Sequence, residues 1–167
     1  INEDILIMNV SVPSEVGNIS VQIQLPTNGP RYEEGAPIVV EVGTFFTSNV
    51  PYYSTIPDIV NYGFVYLTFI WSGTEDRFSD NFSEGIYDYG GENCLKSLVG
   101  VMKYANGKSK DNDGYYLYER FEMKINQSNV GMYAFSHPGI AMTNVLAKYG
   151  EEISDVDWIV GRENPTV

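Results

Sequence analysis

An apolar run that switches abruptly into a helical pattern restricts what this chain can fold into more than any other feature. Val130 to Phe135 reads as a strand and breaks at Ser136. Apolar residues at helical spacing follow at once (Ile140, Met142, Val145, Leu146 and Tyr149) and stop at Gly150. A strand feeding directly into a helix belongs to an alternating α/β sheet. A serine at such a turn is also the layout of a nucleophile elbow. There the hydroxyl stands at the top of the sheet, and the next backbone N–H can donate to an oxyanion. The usual pattern is G-x-S-x-G; here the flanking residues are Ala134 and Pro138, followed by Gly139. Alanine is nearly as small as glycine, and proline fits a first helical turn, where its missing N–H has no intrahelical partner. An ordinary helix N-cap is the other reading of Ser136, and these residues alone leave both open.

The rest of the chain extends the alternation. Ile5 to Val12 and Ile19 to Leu25 alternate apolar and polar residues around a turn-rich Pro13 to Asn18, which predicts an antiparallel hairpin at a sheet edge. Pro37 to Val42 and Phe64 to Trp71 are short apolar runs suited to buried parallel strands. A helix-sized segment, Tyr52 to Tyr62, lies between them. After a polar, acidic loop (Ser72 to Gly85), Asp88 to Ala105 carries Leu95, Leu98, Val99 and Met102 at helical spacing and ends at Asn106-Gly107. Tyr115 to Ile125 is aromatic and alternating, and is expected to form an inserted hairpin. Val156 to Val160 reads as one more buried strand. The order β-β-β-α-β-α-β-α-β predicts a doubly wound, mostly parallel sheet with an N-terminal antiparallel hairpin.

At 167 residues the chain is long enough for one domain with a sizeable core. Its net charge of −12 argues against a nucleic-acid partner, whose phosphates require a basic face. No apolar run is long enough to cross a membrane. The single cysteine, Cys94, excludes an internal disulfide and reads as a small core residue. Asn9, Asn18, Asn81 and Asn126 each open an N-x-S sequon, which together with the acidic charge tilts the expected location toward the extracellular space or cell surface. Nothing in the sequence calls for a cofactor or a metal.

The opening hairpin, PIVVEVGTFF, GFVYLTFIWSG, the helix from YDYGGENCLKSLVGVMKYA and NVGMYAFSHPG occur in an order that resembles the α/β-hydrolase superfamily across essentially the whole chain. The resemblance implies acyl transfer from a small ester or peptide substrate. Ser136 would be the nucleophile and the His137 N–H one oxyanion donor. A second donor would come from the loop after the third strand, at Thr44 or Phe45. The family often has His-Gly there, so Gly43-Thr44 departs from it, but any residue except proline supplies a backbone N–H.

In that family the chain order is serine, acid, histidine. This sequence has one histidine, His137, directly after the serine, and it is not expected to swing back as the base. Glu163, just past the last strand, is the candidate acid, with a solvated loop glutamate as its other reading; Asp155 and Asp157 precede that strand. The final segment reads as a central strand and its exit loop. The expectation is therefore a single domain spanning 1–167 that lacks the family's C-terminal strands, or one whose chemistry is lost. A fragment of this kind should need its missing portion or self-associate through the Trp158 strand. The rival to a hydrolase is a non-catalytic surface or binding domain on the same scaffold.

Three other groups are weaker. Asp111-Asn112-Asp113-Gly114 has the oxygens and glycine of a calcium loop but lacks the spacing of an EF-hand, and an Asn/Asp/Gly turn is the plainer reading. Asp76, Asp80 and Glu84, with Arg77 among them, suggest a solvated acidic loop near the mouth of a site. Tyr52-Tyr53 and Tyr115-Tyr116-Tyr118 could bind a sugar or peptide, or simply line sheet surfaces.

Overall fold

The computed structural model describes residues 5–44 and 58–165. The opening hairpin pairs β1 (Ile5–Ser14) antiparallel to β2 (Gly17–Pro26), with Ile5 opposite Pro26 and Ser14 opposite Gly17. Val10, Val12, Ile19, Val21, Ile23 and Leu25 are buried, while Asn9, Gln22 and Gln24 form an amide chain on the opposite face; Leu6 and Ile7, near the start of β1, stay exposed. Strands β3 (Ala36–Val42) and β4 (Val65–Phe69) are buried along their whole lengths, which explains their unbroken apolar sequences. Strands β5 (Ile125–Phe135) and β6 (Trp158–Arg162) complete a six-stranded sheet ordered β1-β2-β4-β3-β5-β6. From β4 to β6 all neighbours are parallel.

Two helices, α1 (Glu92–Ala105) and α2 (Pro138–Tyr149), pack on one face and touch each other. No Ser, Thr or Asn starts α1. Instead the Asp88 carboxylate accepts from the Asn93 and Cys94 N–H groups at 2.6 and 3.1 Å, placing a negative charge at the positive end of the helix. The other face carries a smaller cluster of Val39, Tyr66 and Tyr133 covered by Val60, which sits in a 3-10 turn at Ile59–Tyr62. That turn is the described end of the expected 52–62 helix; residues 52–57, Tyr52-Tyr53 included, lie outside the described residues.

Two expectations fail. Tyr115 to Ile125 is not a hairpin: it holds a 3-10 turn at Leu117–Glu119, with Leu117 fully buried and the Glu119 carboxylate accepting from the Tyr116 N–H at 2.9 Å. The alternation there came from tyrosines lying over neighbouring charges and rings, with Tyr116 and Tyr118 stacked and Tyr115 beneath Arg120. The last strand is also not buried. It starts at Trp158 and leaves Ile159 and Val160 nearly half exposed, because among the described residues it pairs only with β5. Trp158 itself is anchored: its ring lies against Gly131, where a Cβ would sit 2.1 Å from it, and its Nε1 donates to Asn129 at 2.8 Å.

Candidate active site

Strand register brings three of the candidate residues into one row. Val42 lies opposite Ala134, and Ala134 opposite Gly161. Two residues further along each strand come Thr44, Ser136 and Glu163, just past the carboxyl ends of β3, β5 and β6. Neighbouring strands run about 4.8 Å apart, and ligands of open α/β sheets bind outside the carboxyl ends of the strands.

Ser136 has φ of +63°, a left-handed conformation that a non-glycine residue adopts only under constraint. An N-capping serine instead holds extended backbone and bonds its oxygen to a helix N–H. Here the neighbour that the hydroxyl meets is the imidazole of His137, with Oγ and Nδ1 3.4 Å apart. The expectation that His137 could not turn back is corrected in part. The left-handed turn sets the two side chains side by side, although 3.4 Å is long for a hydrogen bond from a hydroxyl. Small residues surround the turn as its sharpness requires: Ala134 is fully buried, and Gly139, second in the helix, stands where a side chain would have no room.

On the neighbouring strand, the Trp71 indole N–H reaches the carbonyls of Gly43 and Thr44 at 3.3 and 2.9 Å. In a trans peptide the C=O and the following N–H point in opposite directions. Fixing the Gly43 carbonyl on Trp71 therefore turns the Thr44 N–H away from that side chain. Phe45, the other candidate donor, lies outside the described residues.

Glu163 is exposed, left-handed at φ +54°, and pairs with Arg162 at 3.5 Å, while the Arg162 guanidinium lies 5.2 Å over the Phe135 ring. It is the next residue, Asn164, that faces the turn. Its side-chain amide lies 3.0 Å from the Ser136 carbonyl and 3.2 Å from the Arg162 carbonyl. Both carbonyls can only accept, so the atom facing them is the amide nitrogen. Sequence reasoning missed Asn164 because a lone donor two residues past a strand leaves no periodic trace.

The remaining candidates are held elsewhere. Asp111 is buried and accepts from Arg120 Nε at 2.7 Å, from the Tyr104 hydroxyl at 3.2 Å and from the N–H groups of Asp113 and Tyr115. Burial pushes its carboxyl up, but the Arg120 and backbone donors outweigh this and hold it below the usual carboxylate range. Asp113 takes a second Arg120 nitrogen at 2.7 Å, so a guanidinium fills the space between the two carboxylates of the supposed calcium loop. Among the described residues no group of three or more His, Cys, Asp or Glu could hold a metal. Asp76 bonds Ser79, and Glu84 accepts from the Asn18 N–H at 2.9 Å, which ties the acidic loop to the opening hairpin. Asp155 pairs with Lys108, and Asp157 accepts from the Val130 N–H. Cys94 is buried, and desolvation pushes its thiol up to about 12. No described helix is long and apolar enough to cross a membrane.

No protein-family model and no curated protein matches the sequence. Solved structures do match. Esterase Est22 superposes with a TM-score of 0.65 at 14% identity, over 95% of this chain and 44% of that one. A fungal esterase from Rhizomucor miehei gives 0.62 at 12%, over 98% and 45%. Oligopeptidase B from Leishmania major gives 0.59 at 11%, over 95% and 20%. The chain thus has a fold of the α/β-hydrolase type and spans less than half the length of these esterases.

Proposed function

We propose that the chain carries the nucleophile half of a serine hydrolase acting on a small ester or peptide. In this reading the Ser136 hydroxyl attacks the substrate carbonyl, a base takes its proton, and an acyl-enzyme forms that water then hydrolyses. The N–H groups of His137 and of Thr44 or Phe45 receive the developing oxyanion. The observation that carries this is the left-handed φ of Ser136 at the β5–α2 junction, in the register row that also contains Thr44. Strain of this kind persists where surrounding structure enforces it, and such residues cluster at functional sites. The esterase and peptidase folds that the chain resembles add support.

Glu163, the candidate acid, lies in the same register row, with its carboxylate paired to Arg162. His137 is the chain's one histidine, so the base would come from sequence outside 1–167. Residues 1–167 alone should therefore leave p-nitrophenyl esters unhydrolysed. In the full-length protein a fluorophosphonate probe should attach to Ser136 and fail to attach in Ser136→Ala. Absence of labelling in well-folded full-length protein overturns the proposal.

One observation favours the second reading, a non-catalytic binding domain. The nearest imidazole to Ser136 comes from the adjacent residue, a geometry unsuited to a base oriented by its own acid. Unlabelled but folded protein is the outcome that this reading expects.

A further inference from the structure

We infer that Asn164 is a positioning residue for Ser136, an inference that rests on the nucleophile reading above. Two carbonyls define the junction between β5 and β6. The Arg162 carbonyl accepts from the Ser136 N–H at 2.8 Å, and the Ser136 carbonyl accepts from the Gly139 N–H at 3.1 Å. Asn164 Nδ2 bridges both, at 3.2 and 3.0 Å, so each carbonyl holds two donors. One short side chain thereby ties the peptide leaving Ser136 to the end of the neighbouring strand.

Three backbone features set up this tie. Glu163, left-handed at φ +54°, turns the chain back toward the elbow as soon as β6 ends. Gly139 and Gly161 make room for the side chain, since a Cβ at either position would stand 2.1 Å from Asn164. The left-handed conformation of Ser136 is unfavourable for serine, and nothing within residue 136 selects it. The bonds to its N–H and its carbonyl do. The same bonds fix the direction of the Cα–Cβ bond that carries Oγ and of the His137 N–H, because both depart from the torsions that they lock.

The test uses full-length protein and two readouts. Asn164→Ala removes the donor, and Asn164→Asp keeps the shape but replaces the donor by a carboxylate that both carbonyls repel. Each should slow fluorophosphonate labelling of Ser136 by roughly 10- to 100-fold while the protein remains folded, the range expected when a reacting group is displaced by about an ångström. Gly161→Ala pushes Asn164 away without touching Ser136 and should act likewise. The double variant Gly161→Ala/Asn164→Ala should fall no further than the slower single, because both act through one contact. The second readout is the 13C shifts of Ser136, which report its backbone conformation without any chemistry. They should carry the left-handed signature in the native protein and lose it in Asn164→Ala and in Asn164→Asp. Native labelling rates in the folded variants, additive losses in the double variant, or unchanged Ser136 shifts overturn the inference. If native protein does not label at all, the nucleophile reading fails, and the shifts alone still decide the role of Asn164.

Discussion

Two polar loops, the Ser136 turn and the loop around Asp111, use their hydrogen-bonding groups in opposite ways. At Asp111 the polar groups satisfy one another. A buried carboxylate accepts from a guanidinium, a phenol and two backbone N–H groups, and Asp113 closes the guanidinium from the other side. Little remains for a ligand, and Arg120 directly follows the 3-10 turn that replaces the expected hairpin. At Ser136 the backbone groups are tied down, and among the described residues the hydroxyl meets the exposed imidazole beside it. Mutual satisfaction of buried charges gives stability; a constrained backbone presenting a polar group at the sheet's carboxyl edge suits reactivity.

The largest expected effect separates the two on chemistry. Ser136→Ala should abolish fluorophosphonate labelling of the full-length protein and change unfolding free energy by no more than about 0.5 kcal/mol. Intact mass and thermal melting measure the pair of outcomes, and a marked loss of stability would make Ser136 a structural residue instead.

Asp111→Ala is the converse. It leaves Arg120 partly buried with Asp113 as its remaining carboxylate partner among the described residues, and should cost roughly 2–4 kcal/mol in urea denaturation. Labelling at Ser136 should be unaffected. A loss below about 1 kcal/mol would mean that solvent readily replaces the network.

Acid titration probes the same carboxylate without deleting it. The Asp111 carboxyl is depressed in the folded state, so its contribution is complete above the unfolded value near 4 and fades as pH falls through the lower folded value. Asp111→Asn should be less stable at neutral pH and lose less on acidification. Parallel acid limbs for the two proteins would contradict the assignment.

The smallest effect is a gain. Ser136→Gly places the residue that tolerates a left-handed φ where serine is strained, and should raise stability by up to about 1 kcal/mol at an unchanged m value. A loss would show that the serine side chain stabilises the turn more than its backbone strains it.

Sequence by itself determined the elements whose signal is local and repeated. The hairpin of β1 and β2, the apolar runs of β3 and β4, both helices and the break at Ser136 are all legible because burial of one face enforces a period of two or of 3.6 residues. Strand alternation with helices further implied the parallel portion of the sheet. Tertiary structure decided whatever depends on a partner distant in sequence. Asp111 found Arg120 at the end of the 3-10 turn that stands where a hairpin was expected, and Trp71 fixed the carbonyls of the Gly43-Thr44 loop. Register aligned Thr44, Ser136 and Glu163, but a left-handed φ at residue 163 gave the contact with the elbow to Asn164 rather than to the acid that the sequence suggested. Periodicity records which face of an element is buried. It carries no record of which single polar atom meets another across the end of a sheet, because that depends on torsions and register fixed only once the strands have packed.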